Sequence, residues 1–415
     1  MKKKFFIKVL SINILLTIIS TFTLILFFFE VYSRFKYHWN NNYFHPLISQ
    51  EEMIKNAKKK IKASKNLKLS IGDSFGQHGW GTDSNLLDNI FKCDSKENCT
   101  YLNLSSFGSD PENYFNSIKQ TLGDRIYSPY KTEKILISIY YGNDIVKYGV
   151  DELEIKNKKS CLPEINEISN NSTINYKVTI NNFLNRYLKS INIYRQAYRR
   201  LKYKYNMIEN YKDTYVATAY RLRRCLIPNE KNTLEKIKNN LNNIDENYFK
   251  DVVTYKYSYS DLIIAIAYPE YYLDLYSLDK YWSRMGLNKL KKEINNFNQF
   301  MTTKFPNSEI TYIGIPDQFI WRNKIDKRIL ENYNLIGASL DEMVEKDGNV
   351  KSKFFNFTNS INNFFVENNI RYIYLPSLLK KEDDVFSLFY NLDVHLNSYG
   401  NKLLSEYINK KNLLK

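Results

Sequence analysis

The sequence predicts an α/β fold: a five-stranded parallel sheet between two layers of helices. Three observations predict it. Five short β-branched or aromatic runs, Leu67–Ile71, Thr100–Leu104, Lys134–Tyr140, Glu309–Ile315 and Ile370–Leu375, are each bounded by Gly, Pro, Ser or charge. Segments with helical patterning lie between the first three and after the last, as right-handed strand–helix–strand crossovers require. The third run, ILISIYY, is apolar almost throughout, which suits a strand buried on both faces better than a one-sided alternating strand.

The elements follow in order. Lys2, Lys3, Lys4 and Lys8 precede Val9–Phe29, a run of 21 uncharged residues. As a helix that run spans about 31 Å, enough to cross the hydrocarbon core of a bilayer. The positive flank predicts a cytoplasmic N-terminus and an extracytoplasmic remainder. The following FFFEVYSRF carries no small-x-small cleavage site, so residues 1–30 read as an uncleaved signal anchor rather than a removed leader. The protein is then expected in the cell (inner) membrane as a single-pass chain, with its large domain in the periplasm or an equivalent compartment. Residues 31–65, with EEMIKNAKKKIKAS, read as a juxtamembrane connector, and residues 66–415 as one α/β domain.

Within that domain the first strand is followed by a helix over Asp83–Phe91. A helix over Pro111–Leu122 follows the second, with Pro111 placed at its first turn, where no N–H is needed. Residues 145–300 interrupt the alternation. They are rich in Asn, Lys and Tyr, and Phe183–Tyr205 and Leu234–Phe249 have helical periodicity, so a largely helical insertion folded onto the sheet is expected. Asp261–Tyr276 fits a sixth strand and a helix equally well. A terminal helix is predicted over Ser398–Leu413.

Composition narrows the function. The 415 residues are 43% hydrophobic and carry a formal charge of +16, but the lysines are scattered. No basic stripe and no nucleic-acid motif is present, so a nucleic-acid partner is not predicted. A basic surface favours an anionic membrane face or a polyanionic substrate. The four cysteines, Cys93, Cys99, Cys161 and Cys225, suit an oxidising compartment. Cys93 and Cys99 bracket the polar DSKEN and are disulfide candidates, with Cys161 and Cys225 the remaining pair. Their spacing lacks CxxC pairs and neighbouring histidines, so no metal is predicted.

Ligands of open parallel sheets sit beyond the carboxyl ends of the strands. Just past the first strand comes Gly72-Asp73-Ser74. Ser105-Ser106-Phe107-Gly108 follows the second, Gly142-Asn143-Asp144 the third, and Asp393-Val394-His395 lies beyond a loop after the fifth. Together they are the parts of an acyl-transfer site: a serine, a base with an orienting carboxylate, and donors for an oxyanion.

GDSF at 72–75, the glycine of SSFGSD at 105–110, YGNDI at 141–145 and DVHLNSYG at 393–400, in that order, resemble the signature blocks of the SGNH (GDSL-like) hydrolase superfamily. The likeness spans residues 66–145 and about 305–412. With its N-terminal anchor the chain looks like a membrane-anchored bacterial branch, and its DxH spacing is similar to that of alginate-type O-acetyltransferases of the same superfamily. The resemblance implies a flavodoxin-like α/β/α sandwich and assigns roles by position. Ser74 would be the nucleophile, placed at the start of a helix. The amides of Ser74 and Gly108 and the Asn143 side chain would form the oxyanion hole, His395 would be the base, and Asp393 would orient it. The commonest family pattern sets the aspartate three residues before the histidine; here the interval is two, so Asp383 and Asp384 stand as alternative carboxylates, and a backbone carbonyl as a further partner for His395.

His78 lies four residues after Ser74 and would share a helix face with it. Nothing in the nearby sequence orients its ring, so His395 is preferred as the base. The plain alternatives are a helix-capping role for Ser74, turn roles for Asn143-Asp144 and Gly108, and structural loop roles for Asp393 and His395. The expected function is serine-dependent O-acyl transfer, with acetyl the first choice, on an envelope or exported carbohydrate, as an esterase or a transferase and without a cofactor. Polysaccharide-assembly proteins are candidate partners. A lipid-directed esterase and a non-catalytic glycan-binding or assembly protein are the alternatives.

Overall fold

The computed structural model describes residues 66–76, 85–91, 99–106, 109–122, 131–157, 270–317, 320–322, 344–345, 348–389 and 395–414, together with eight positions between 20 and 31. The chain divides into two compact units: Met1–Pro46 with Ile165–Met207, and Leu47–Glu164 with Ile208–Lys415. In the first unit the described positions are helical, and Leu24, Ile25, Phe27, Phe28 and Val31 are exposed. No helix among the described residues is long and apolar enough to cross a membrane, and most of the expected span Val9–Phe29 lies outside them.

The second unit is built on a five-stranded, all-parallel sheet. Its strands are β1 (Asn66–Ile71), β2 (Cys99–Asn103), β3 (Lys131–Tyr140), β4 (Glu309–Ile315) and β5 (Tyr372–Tyr374), in the spatial order 2-1-3-4-5. This doubly wound order reverses direction between β1 and β3, the point at which such sheets commonly bind ligands beyond their carboxyl edge. The fifth strand is shorter than the sequence suggests, because Pro376 has no N–H for a ladder and the chain turns into a 3₁₀ segment at Leu375–Leu378.

The helices are α1 (Leu86–Ile90), α2 (Pro111–Leu122), α3 (Tyr141–Asn157), α4 (Glu270–Ser277), α5 (Tyr281–Lys304), α6 (Phe355–Glu367) and α7 (Ser398–Lys410). Two sets of side chains show the layers. On one face, Leu86, Leu87, Ile90 and Phe91 around α1 join Leu404, Tyr407 and Ile408 of α7. They pack over Leu136, Tyr140, Ile313, Ile315 and Ile373 of the strands. On the other face, α3 packs against α5, and aromatic pairs link the remaining elements. Tyr114 of α2 meets Phe297 of α5 at 5.9 Å, and Tyr312 of β4 meets Phe365 of α6 at 5.7 Å. These ring geometries add to area burial, which is the main term holding both layers to the sheet.

The start of α1 lies later than Asp83. Asn85 caps it, accepting the Asp88 N–H at 2.9 Å, and an Asn–Asp bond at 2.7 Å completes the cap. The ambiguous stretch resolves in part: Glu270–Ser277 is the helix α4, and residues 261–269 lie outside the described residues. So do residues 158–260, including the expected helices Phe183–Tyr205 and Leu234–Phe249, and Cys93, Cys161 and Cys225. Cys99 begins β2. Both described ends of the 145–300 insertion, α3 and the α4–α5 pair, pack on the sheet unit.

Candidate active site

The site begins with Gly72. The β1–β2 ladder runs past the strand ends: Leu104 donates its N–H to Ser70 O at 2.8 Å, and Ser106 donates to Gly72 O at 2.9 Å. On the β3 side, a Cβ at position 72 would lie 1.8 Å from Ser138 Oγ, so a larger residue there would have to displace that buried hydroxyl. The next three residues form a tight turn. Asp73 accepts the Phe75 N–H on Oδ1 at 3.0 Å, and Gly76 donates to Asp73 O at 3.2 Å. This turn presents Ser74, 2% exposed, at the carboxyl end of β1.

Ser74 lies in this turn, where the Asp73 carboxylate bonds the backbone two residues on. The next described helix, α1, starts at Leu86. Residues 77–84, over which the helix expected from Ser74 would run, lie outside the described residues, and His78 is among them.

His395 arrives from the far end of the chain. Its Nε2 lies 2.8 Å from Ser74 Oγ, and its ring is buried. Two residues of the DVHLNSYG stretch explain how it is held. Asn397 caps α7 by accepting the Gly400 N–H at 2.9 Å, and its amide donates to Ser387 O at 2.8 Å and Phe389 O at 2.9 Å. Gly400 packs where a Cβ would meet Leu388 O at 2.3 Å. An antiparallel bridge pairs Phe389 with Leu396. His395 thus sits at the closing end of a short loop clamped at its base. Asp393 lies within that loop and outside the described residues. Of the alternatives, Asp383 is committed elsewhere: it accepts Tyr407 OH at 2.9 Å and the Lys380 N–H at 2.7 Å. Asp384 accepts the Ser387 hydroxyl on its carbonyl at 2.7 Å.

Phe75, beside the serine, forms a wall. Its ring stacks on the His395 imidazole at 4.8 Å and 26°, and meets the Tyr140 ring at 4.7 Å. Nothing in the motif spacing pointed to this contact; an aromatic directly after the serine was its only sign.

The donor positions are placed unequally. Asn143 is half-buried in the first turn of α3, directly beyond the end of β3, the strand beside β1. It therefore belongs to a helix, not a free turn. Gly108 lies outside the described residues, but the backbone on both sides of it is fixed. Ser106 bonds Gly72, and Ser109 donates to Ser106 O at 3.1 Å. Asp110 then caps α2 by accepting the Asn113 N–H at 2.9 Å, and it pairs with the Lys147 ammonium of α3.

Two buried carboxyls underlie the serine turn. Asp73 and Asp144 are 0% and 2% exposed. Burial, and then the neighbouring Asp73, push the Asp144 carboxyl well above its usual range. Among the described residues its Oδ2 has no hydrogen-bond partner. The unfolded chain releases this proton near 3.8, whereas the folded chain keeps it, so raising the pH favours unfolding. Asp144→Asn keeps the shape and removes the penalty. Its stability advantage over wild type should grow from about pH 4 upward, by about 1.4 kcal/mol per pH unit until the folded-state value is passed. Urea denaturation at several pH values checks this; a pH-independent difference contradicts it.

No group of three or more His, Cys, Asp or Glu side chains able to hold a metal is found among the described residues. No protein-family model matches the chain, and the comparison with curated proteins gives no match. The chemistry of the site rests on its own geometry: a buried serine hydroxyl within hydrogen-bond reach of an imidazole is the pairing that activates an oxygen nucleophile.

Proposed function

We propose that this chain is a serine-dependent O-acyl esterase or transferase of the SGNH (GDSL-like) type. Its flavodoxin-like α/β domain would be held outside the cytoplasm by the N-terminal anchor, acting on an acylated envelope or exported carbohydrate. The observation that carries the reading is the 2.8 Å contact between Ser74 Oγ and His395 Nε2, formed across 321 residues at the carboxyl edge of a doubly wound sheet.

In this reading His395 Nε2 takes the Ser74 proton as Oγ attacks the acyl carbonyl. The negative charge on the tetrahedral oxygen is met by the amides of Ser74 and Gly108 and by the Asn143 amide. Collapse expels the sugar alcohol, which leaves with the proton from His395, and the acyl group stays on Ser74. Water or a second sugar hydroxyl then gives up its proton to His395 and takes the acyl group, regenerating the serine. Asp393 holds the imidazole tautomer and faces the imidazolium that forms.

The test supplies an O-acetylated polysaccharide to the detergent-solubilised full-length chain and follows free acetate and new acetyl–sugar signals by NMR. Acetate or transferred acetyl that depends on Ser74 is expected. Equal release by Ser74→Ala contradicts the reading. Turnover confined to long-chain acyl esters contradicts the carbohydrate assignment and favours a lipid substrate.

A further inference from the structure

Asp317 is a buried carboxylate that the serine–histidine pair does not use directly. It stands two residues past the end of β4, at the same sheet edge as Ser74, and is 0% exposed. Such a group is costly to bury unless hydrogen-bonded, and two phenols supply the bonds. Tyr140, the last residue of β3, donates its hydroxyl to Oδ1. Tyr276 of α4 donates to Oδ2 at 2.5 Å and accepts the Asp317 N–H at 2.9 Å. Trp321 fixes the same turn by donating to Pro316 O at 2.8 Å.

The contacts continue from Tyr140 to the base. The Tyr140 ring packs on Phe75 at 4.7 Å, and Phe75 stacks on His395 at 4.8 Å. The backbone that carries Phe75 is held at its base, because its N–H is bonded to Asp73. A phenylalanine at position 140 would fill the core equally well. What the hydroxyl adds is the bond to Asp317.

We propose that Asp317 is a positioning residue: by holding the Tyr140 hydroxyl it fixes the tilted Tyr140–Phe75 contact behind the Phe75–His395 stack, which sets the plane of His395 against Ser74. This rests on the reading of Ser74 and His395 as nucleophile and base. It also gives a role to Tyr276, through which α4, the helix after the 158–269 stretch, holds the same carboxylate.

The test measures p-nitrophenyl acetate hydrolysis by the detergent-solubilised full-length chain, with turnover normalised to sites titrated by a fluorophosphonate. Tyr140→Phe and Asp317→Ala should each lower kcat about tenfold with KM within about twofold, the scale of a misoriented base rather than a lost one. The double variant should be no slower than either, since both remove one contact. Asp317→Asn, which keeps an acceptor for Tyr140, should recover most of the loss. If Asp317→Ala fails to fold, Tyr140→Phe carries the test alone. A kcat per titrated site within about twofold of wild type in Tyr140→Phe overturns the proposal, as do losses that multiply in the double variant. Wild-type turnover no greater than that of Ser74→Ala overturns the serine reading itself, and this proposal with it.

Discussion

Ser74→Ala lowers ester turnover by about 10⁶-fold, His395→Ala does the same, and the double variant is no slower than either single one. That is the expectation for a nucleophile and base that act as a unit, where removing one part removes what the pair supplies. The two side chains meet at 2.8 Å, and both are buried. Burial matters for the size of the effect. Among the described residues His395 is the side chain bonded to the Ser74 hydroxyl, and burial keeps bulk water largely away from it. Neither variant should unfold the chain. Ser74 contributes little apolar area, and the loop carrying His395 is clamped through Asn397 and Gly400. Steady-state hydrolysis of an activated ester measures all three variants. Losses that multiply in the double variant would mean that the two residues act separately.

Asn143→Ala lowers kcat by about 10²–10³-fold and leaves KM nearly unchanged. The argument is positional. β1 and β3 are neighbours in register up to Ile71 and Ile137, so the residues that follow them share one edge. Asn143 stands there in the first turn of α3, half-buried. A donor to the oxyanion binds the transition state more strongly than the ground state, so its loss appears in kcat. Asn143→Asp should be at least as slow, because a carboxylate there repels the developing charge. A change confined to KM would assign Asn143 to substrate binding instead.

Much of this was legible from the chain alone, for identifiable reasons. The parallel sheet was legible because five short strand-forming runs alternate with helical segments and end in polar punctuation, and because the ILISIYY run is apolar almost throughout. The candidate site was legible in so far as β1 and β3 are neighbours, so that Gly72-Asp73-Ser74 and Gly142-Asn143-Asp144 follow strands at one edge. Other features were not. The turn at Ser74 rests on two short-range bonds, from the Phe75 N–H to the Asp73 carboxylate and from the Gly76 N–H to Asp73 O, which residue patterning does not reveal. The shortened β5 follows from Pro376, whose effect on a ladder depends on which side is paired. The Asp317–Tyr140–Phe75–His395 contacts link four segments distant in sequence, and only the folded chain brings them together.

The most direct measurement is the site of covalent capture. Detergent-solubilised full-length chain is treated with a fluorophosphonate, digested and analysed by mass spectrometry, with Ser74→Ala and His395→Ala in parallel. The account predicts one adduct, on the Ser74 hydroxyl, absent from Ser74→Ala and strongly slowed in His395→Ala. An adduct on another residue, or labelling that persists undiminished in Ser74→Ala, would contradict it.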